Sequence, residues 1–151
     1  MQKKIGYSLN ELLVTLFNKV MSIEEKAIIT EEFKDISNND MHIIEAIGIE
    51  EPRSVSNVAK RLEVTVGTLN IAMNRLEKKG YINRNRSDID KRVVLATLTE
   101  KGKKAFYHHR DFHKKMIRSI VSGLSDEEMK SLYGCLSRLM KFFEEYNEGG
   151  K

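Results

Sequence analysis

A chain of 151 residues that is 40% hydrophobic and 32% charged, with a single proline, fits one globular domain or a small domain with a helical extension, and it excludes disorder. No apolar run approaches the roughly 18 residues that span a bilayer. The N-terminal Met1-Gln2-Lys3-Lys4 has no apolar block of signal-peptide length behind its charges, which predicts a cytoplasmic protein with no membrane contact.

The net charge of +4 is unevenly spread. Residues 1–52 carry five Lys/Arg against ten Asp/Glu, residues 53–104 thirteen against five, and residues 105–151 eight against seven. A strongly basic middle third is the electrostatic footprint of a nucleic-acid contact surface. Cys135, the one cysteine, excludes an intrachain disulfide and a thiolate metal cluster. Its position on the apolar side of the last helix predicts a buried small hydrophobe.

In chain order, Leu9, Leu12, Leu13, Leu16, Phe17, Val20, Met21 and Ile23 recur at helical spacing between Tyr7 and about Ile29. So wide an apolar stripe needs a partner distant in sequence. Phe33 to Ser37 reads as a connector, and Ser37 with Asp40 as a capping box for a short buried helix ending at Gly48. Ser54 caps a helix from Val55 to about Leu62, and Glu63-Val64 forms a turn. Thr65 caps the next helix by accepting from the Thr68 backbone. Leu69, Ala72, Met73 and Leu76 form the core face of that helix. Thr65 and Gly67 at its start, with Thr68, Asn70, Ile71, Asn74, Arg75 and Lys78, form the opposite side. Short hydrogen-bonding side chains at the front with cations behind are what a helix entering the major groove needs.

Gly80 ends that helix. Tyr81 to Arg86 alternates like a strand, Asp88-Ile89-Asp90 turns, and Arg92 to Leu98 returns. Arg84, Arg86, Lys91 and Arg92 cluster on a hairpin too short to be a sheet by itself, so it needs a support or a role. A wing reaching to phosphates or the minor groove supplies one. Thr99 caps a long helix to about Gly123, and Ser125 to Glu128 is a capping box opening the last helix. The order predicts a mainly α protein: a winged helix-turn-helix over 37–104, with long N- and C-terminal dimerisation helices, 1–36 and 105–151. No nucleophile–base pair or phosphate-cradling glycine loop argues for an enzyme. No cofactor is expected.

Leu76-Glu77-Lys78-Lys79-Gly80-Tyr81-Ile82, Asp90-Lys91-Arg92 and Leu98-Thr99-Glu100-Lys101-Gly102 occur in an order that resembles the MarR family of bacterial transcription regulators. The resemblance implies a homodimer on a pseudo-palindromic operator, with Thr65–Lys78 as recognition helix and Asp88–Arg92 as wing tip. It also implies that Arg92 goes to DNA while Asp90 braces the wing. Within the family the chain is similar to the repressors of fatty-acid biosynthesis genes, the FabT type. The matching stretches include Phe33-Lys34-Asp35-Ile36-Ser37, Val64-Thr65-Val66-Gly67-Thr68 and Phe112-His113-Lys114-Lys115-Met116. This similarity implies regulation by long-chain acyl groups on acyl carrier protein, which strengthen DNA binding. The candidate effector residues are Phe17, Met21, Met41, His42, His109, Phe112, His113 and Met116.

Three readings of the histidines stay open. His42, His109 and His113 serve structure, contact the effector or its carrier, or bind zinc with Glu24 or Glu45, as in a zinc-sensing branch of the family. No metal site is assigned on this basis. A rival from another class is a winged-helix module whose basic patch meets an acidic protein rather than DNA.

Overall fold

The computed structural model describes residues 2–149, with side chains described over 8–146; Met1, Gly150 and Lys151 lie outside the described residues. The elements run α1 (Gln2–Ile28), α2 (Asn38–Ile47), β1 (Arg53–Ser54), α3 (Val55–Arg61), α4 (Val66–Lys78), β2 (Ile82–Arg86), β3 (Val94–Leu98), α5 (Glu100–Val121) and α6 (Asp126–Gly149). They fall into two compact units, Met1–Phe112 and His113–Lys151, with α5 beginning in the first and ending in the second. Packing therefore groups α1 and the first half of α5 with the winged helix-turn-helix.

In the first unit, local chemistry sets the helix ends. The Ser37 hydroxyl accepts from the Asp40 backbone at 3.2 Å, and Asp40 Oδ2 accepts from the Ser37 backbone at 3.1 Å. This reciprocal pair satisfies two otherwise orphaned N–H groups. Ser54 and Thr65 cap α3 and α4 in the expected way. The ends of α3 and α4 are alike. The Val64 N–H reaches back to the Ala59 carbonyl and the Tyr81 N–H to the Leu76 carbonyl, with Glu63 (φ 54°) and Gly80 (φ 79°) in the left-handed position. Gly80 is the usual residue there; Glu63 is not.

The expected hairpin is one part of a three-stranded antiparallel sheet of order β1-β3-β2. Ile82 pairs with Leu98 and Arg86 with Val94, while Arg53 pairs with Ala96 on the far edge of β3. The core beneath buries Ile28, Phe33, Ile36, Met41, Ile44, Ile47, Val58, Leu69, Met73, Leu76, Tyr81, Ile82, Ala96 and Ala105. The predicted core face of α4 is buried in full.

The Leu98-Thr99-Glu100-Lys101-Gly102 motif has a structural explanation. The Thr99 hydroxyl donates to the Gly80 carbonyl at 2.6 Å and accepts from the Gly102 backbone at 3.1 Å, tying the end of α4 to the start of α5. Gly102 presses on the same corner, where an added Cβ would stand 2.0 Å from the Tyr81 carbonyl oxygen. Tyr81 is fully buried, and its hydroxyl donates to Asp35 at 2.6 Å. Burial and that hydrogen bond push the phenol well above its ordinary range. Burial alone would raise Asp35, but the Tyr81 hydrogen bond and Lys101 hold it below the usual carboxylate range.

In the second unit, Ser125 and Glu128 form the expected capping box. Leu132, Leu136, Leu139, Met140, Phe142, Phe143 and Tyr146 on α6 are all exposed in the single chain. Cys135 is exposed too, contrary to the expectation of burial, because no described residue covers that part of α6. The stripe on α1 is equally open, from Leu9 and Leu12 through Phe17 to Ile23. Among the described residues no helix is long and apolar enough to cross a membrane.

Gly102→Ala tests the corner. Helix propensity alone favours alanine by about 1 kcal/mol, but a clash with fixed backbone costs about 1–3 kcal/mol or more. The expected result is a urea midpoint below wild type, with a net loss of about 1–2 kcal/mol.

Candidate functional site

The exposed side of α4 and the wing lie together on the basic third of the chain. At the start of α4, the Thr65 hydroxyl accepts from the Thr68 backbone at 3.1 Å and donates to the Thr68 hydroxyl at 2.9 Å. Beyond its chain neighbours and its own helical backbone, nothing approaches within 4 Å of where a Gly67 Cβ would stand, so that end of the helix is open. Ile71 is 71% exposed, an apolar side chain the chain itself leaves uncovered. A groove of about 300 Å³ separates α3 and α4 from the wing, lined by Ser54, Ser56, Val66, Asn70, Arg92 and Val94 among others.

The predicted contact residues do not all face outward. Arg84 on β2 turns back onto α4. Its Nε and Nη2 donate to Glu77 Oε2 at 3.2 and 2.7 Å, its Nη1 to Asn70 Oδ1 at 3.4 Å, and its Nη2 also to Asn74 Oδ1. The Arg84 backbone N–H reaches Glu77 Oε1 at 3.1 Å. These hydrogen bonds from Arg84 hold the Glu77 carboxyl below the usual range. Arg75 donates from Nη2 to Asp40 Oδ1 at 2.5 Å, so the N-terminal cap of α2 also anchors the middle of α4. Glu77 and Asp40 were not singled out as partners from the sequence. The seven-residue interval between Glu77 and Arg84 across a glycine turn, and the second carboxylate oxygen of a capping aspartate, are the signals that point to them.

The wing tip is built around Asp90. Its carboxylate accepts from the Arg92 backbone at 3.0 Å and from Arg92 Nε and Nη2 at 3.2 Å each. These bonds hold the Asp90 carboxyl below its ordinary value. The Ser87 hydroxyl accepts from the backbones of Ile89 and Asp90, Arg86 donates to the Lys91 carbonyl at 2.9 Å, and Lys91 pairs with Asp88 at 3.0 Å. The Arg92 side chain is 92% exposed. The tip thus presents three cations on a cross-braced turn.

The candidate effector residues separate into groups. Met21 and His42 line an open cavity of about 520 Å³ with Asn18, Ser22, Glu25, Ser37, Asn38 and Asn39. Phe17 is exposed, Phe112 half-buried and Met41 fully buried. His113 and Met116, both half-buried, belong to the second unit.

His109 is fully buried on α5 between two carboxylates. Its Nε2 lies 2.7 Å from Glu24 Oε1 and its Nδ1 2.6 Å from Glu45 Oε1. His42 Nε2 lies 3.5 Å from the same Glu24 oxygen, and Asn38 donates to the other at 3.2 Å. A neutral imidazole donates from one nitrogen only, so the cation satisfies both acceptors. Burial would depress the imidazolium, but hydrogen bonds to Glu45 and Glu24 outweigh it and hold His109 above the ordinary histidine value. Burial likewise would raise Glu24, and bonds from His109 and Asn38 take it below the usual range instead. Glu24 and His109 supply an O and an N donor of the kind zinc takes, with Glu45 in the place of the outer carboxylate that orients a ligating histidine.

Three helices packed on a small sheet, a capped exposed helix and a braced basic hairpin define a winged helix-turn-helix. A family model of the transcriptional regulators SarA/Rot matches residues 18–108. The chain belongs to that family of MarR-like DNA-binding transcriptional regulators, which are not enzymes. The helix-turn-helix-type regulator YfiV of Bacillus subtilis is 30% identical over 85% of this chain and 81% of its own. The crystal structure of Streptococcus pneumoniae FabT in complex with DNA is similar at 42% identity and a TM-score of 0.89, over 93% of this chain and 98% of that one. A MarR family regulator, SP03579, shares the fold at 14% identity and a TM-score of 0.82, over 97% and 95% of the two chains.

The pairing of His109 gives a pH dependence. The stability it contributes is complete below its unfolded value of about 6.5 and is lost as pH rises through the raised folded value. The Glu24 contribution is present above about 4.5 and is lost as pH falls through its lowered folded value. Urea midpoints of wild type should therefore decline as pH rises above neutrality, and the decline should be shallower in His109→Gln. Equal slopes in the two proteins would contradict the buried imidazolium.

Proposed function

We propose that this chain is a homodimeric repressor of fatty-acid biosynthesis genes, acting in the cytoplasm, whose operator affinity rises with long-chain acyl groups on acyl carrier protein. The single observation that carries the reading is the likeness to FabT in its DNA complex, at 42% identity over nearly the whole of both chains. The motif resemblance to FabT-type repressors supports the effector. The open apolar faces of α1 and α6 support dimerisation, since contiguous exposed apolar surface of this kind marks an interface. A two-fold dimer then presents paired helices to half-sites about one turn of DNA apart.

In this reading α4 enters the major groove with Thr65, Gly67, Thr68, Asn70, Ile71, Asn74 and Arg75. Arg86, Lys91 and Arg92 reach phosphates or the minor groove, Asp90 braces the tip, and Arg84 contributes from the seam between helix and wing. The open space at Gly67 supports close approach of a phosphate to the helix start. Met21 and His42, on the wall of an open cavity otherwise lined by Asn, Ser and Glu side chains, are the effector candidates in reach of one pocket, and Phe17, Met41, His109, Phe112, His113 and Met116 are further candidates carried by the family likeness.

A second reading is favoured by one arrangement, the His109 imidazole 2.7 Å from the buried Glu24 carboxylate: a MarR-type regulator responding to zinc. Zinc there would supply a positive charge that draws the donors of α1, α2 and α5 together.

The test is a titration of duplexes from promoters of fatty-acid biosynthesis genes, with acyl carrier protein carrying no, short or long acyl chains. Long-chain forms should tighten binding by about 5- to 150-fold, the usual span of allosteric coupling. Unchanged affinity would remove the lipid effector and leave the regulator. Stoichiometric zinc in protein purified without chelator, lost in His109→Ala, would favour the second reading.

A further inference from the structure

Arg84 does more than join the wing to the helix. A guanidinium carries five N–H donors and no acceptor, so any amide it holds must turn its oxygen toward it. Arg84 holds two such amides, Asn70 at 3.4 Å from Nη1 and Asn74 through Nη2, while Glu77 takes Nε and the remaining reach of Nη2. The Arg84 side chain is only 18% exposed, and the carboxylate keeps it in place at 2.7 Å. Both asparagine oxygens are thereby directed inward to the seam, and among the described residues neither amide nitrogen has a protein acceptor. What Asn70 and Asn74 offer outward is N–H.

We infer that Arg84 is a specificity-determining residue that acts through Asn70 and Asn74, fixing both amides as hydrogen-bond donors toward base edges. The inference rests on the reading that α4 occupies the major groove. An asparagine reads adenine with both its oxygen and its nitrogen, accepting from N6 and donating to N7. With the oxygens drawn to Arg84, these two positions select bases by acceptors instead: N7 of either purine, O6 of guanine or O4 of thymine. The two residues are four apart on one helix, about 6 Å along its axis, so they address positions about two base-pair steps apart. Without Arg84 both amides rotate freely and regain the two-point contact with adenine. Arg84 is a positioning residue in this scheme and makes no base contact of its own.

The experiment uses the full-length protein and the duplex it enriches most from a random pool. Each purine of a half-site is replaced in turn by its 7-deaza analogue, which lacks the N7 acceptor. Each adenine is also replaced by unsubstituted purine, which lacks the N6 amino donor. The expected result is one or two positions where removing the acceptor costs about tenfold in affinity, with the cost abolished by Asn70→Ala or Asn74→Ala. At those positions removal of N6 changes affinity less than twofold. In Arg84→Met, whose fold is checked by circular dichroism, removal of N6 becomes costly at the same positions. An adenine where wild type suffers equally from removal of N6 and of N7, both through Asn70 or Asn74, overturns the inference. So does the absence of any base-atom effect that depends on either asparagine. A pool that yields no enriched duplex is a different failure, removing the groove-reading role of α4 itself. If Arg84→Met does not fold, the wild-type and asparagine variants still decide the matter.

Discussion

A wing made of two five-residue strands has little to hold it, since an isolated hairpin of that size is marginal in water. Here it is supported on both edges. On one side β3 pairs with Arg53 and Ser54, two residues that belong more to the start of α3 than to a sheet. On the other, Arg84 of β2 binds Glu77 of α4 by two side-chain bonds and one backbone bond. The pair is partly buried, so removing one partner costs more than breaking a surface ion pair, which is worth at most about 1 kcal/mol. The position of the wing relative to the exposed face of α4 depends on this contact. If the wing drifted, its cations and the helix would no longer address one duplex in register.

The remaining anchors of α4 fit the same scheme. Its N-terminus is capped by Thr65, its middle is held by the Arg75–Asp40 pair, and its end is tied through Gly80 and Thr99 to the start of α5. Asp40 is nearly inaccessible and gives one oxygen to the α2 cap and the other to Arg75. The carboxylates Asp40 and Glu77 thus neutralise part of the basic surface from behind, and at the tip Asp88 and Asp90 pair with Lys91 and Arg92. An exposed arginine braced by a neighbouring aspartate has given up some of its conformational freedom before any partner arrives, which lowers the cost of binding.

Much of this was legible in the sequence, for local reasons. Capping boxes, Gly48 and Gly80, the 3.6-residue stripe of Leu69, Ala72, Met73 and Leu76, and the alternation across the wing are short-range signals, and the structure follows them. What escaped depends on contacts between distant segments. Arg53–Ser54 carries no strand pattern, because two residues cannot show a period. Glu63 holds a left-handed turn position ordinarily given to glycine, and no residue type announces that. Arg75 and Arg84 read as free cations because a side chain on one face does not reveal a carboxylate from another element. Cys135 reads as buried because it lies on an apolar helix side, and a single chain supplies no cover there. The buried state of His109 between Glu24 and Glu45 likewise joins three helices that the sequence keeps far apart.

On the proposed reading, the braced wing and α4 engage duplex DNA as one surface. The most direct test compares the salt dependence of duplex binding in wild type and in a variant with Arg86, Lys91 and Arg92 all replaced by alanine. Log affinity of wild type should fall steeply and linearly with log salt. The slope should shrink in the variant by about 0.9 for each phosphate that is no longer neutralised, with the solution mass unchanged. Identical slopes in the two proteins would contradict it.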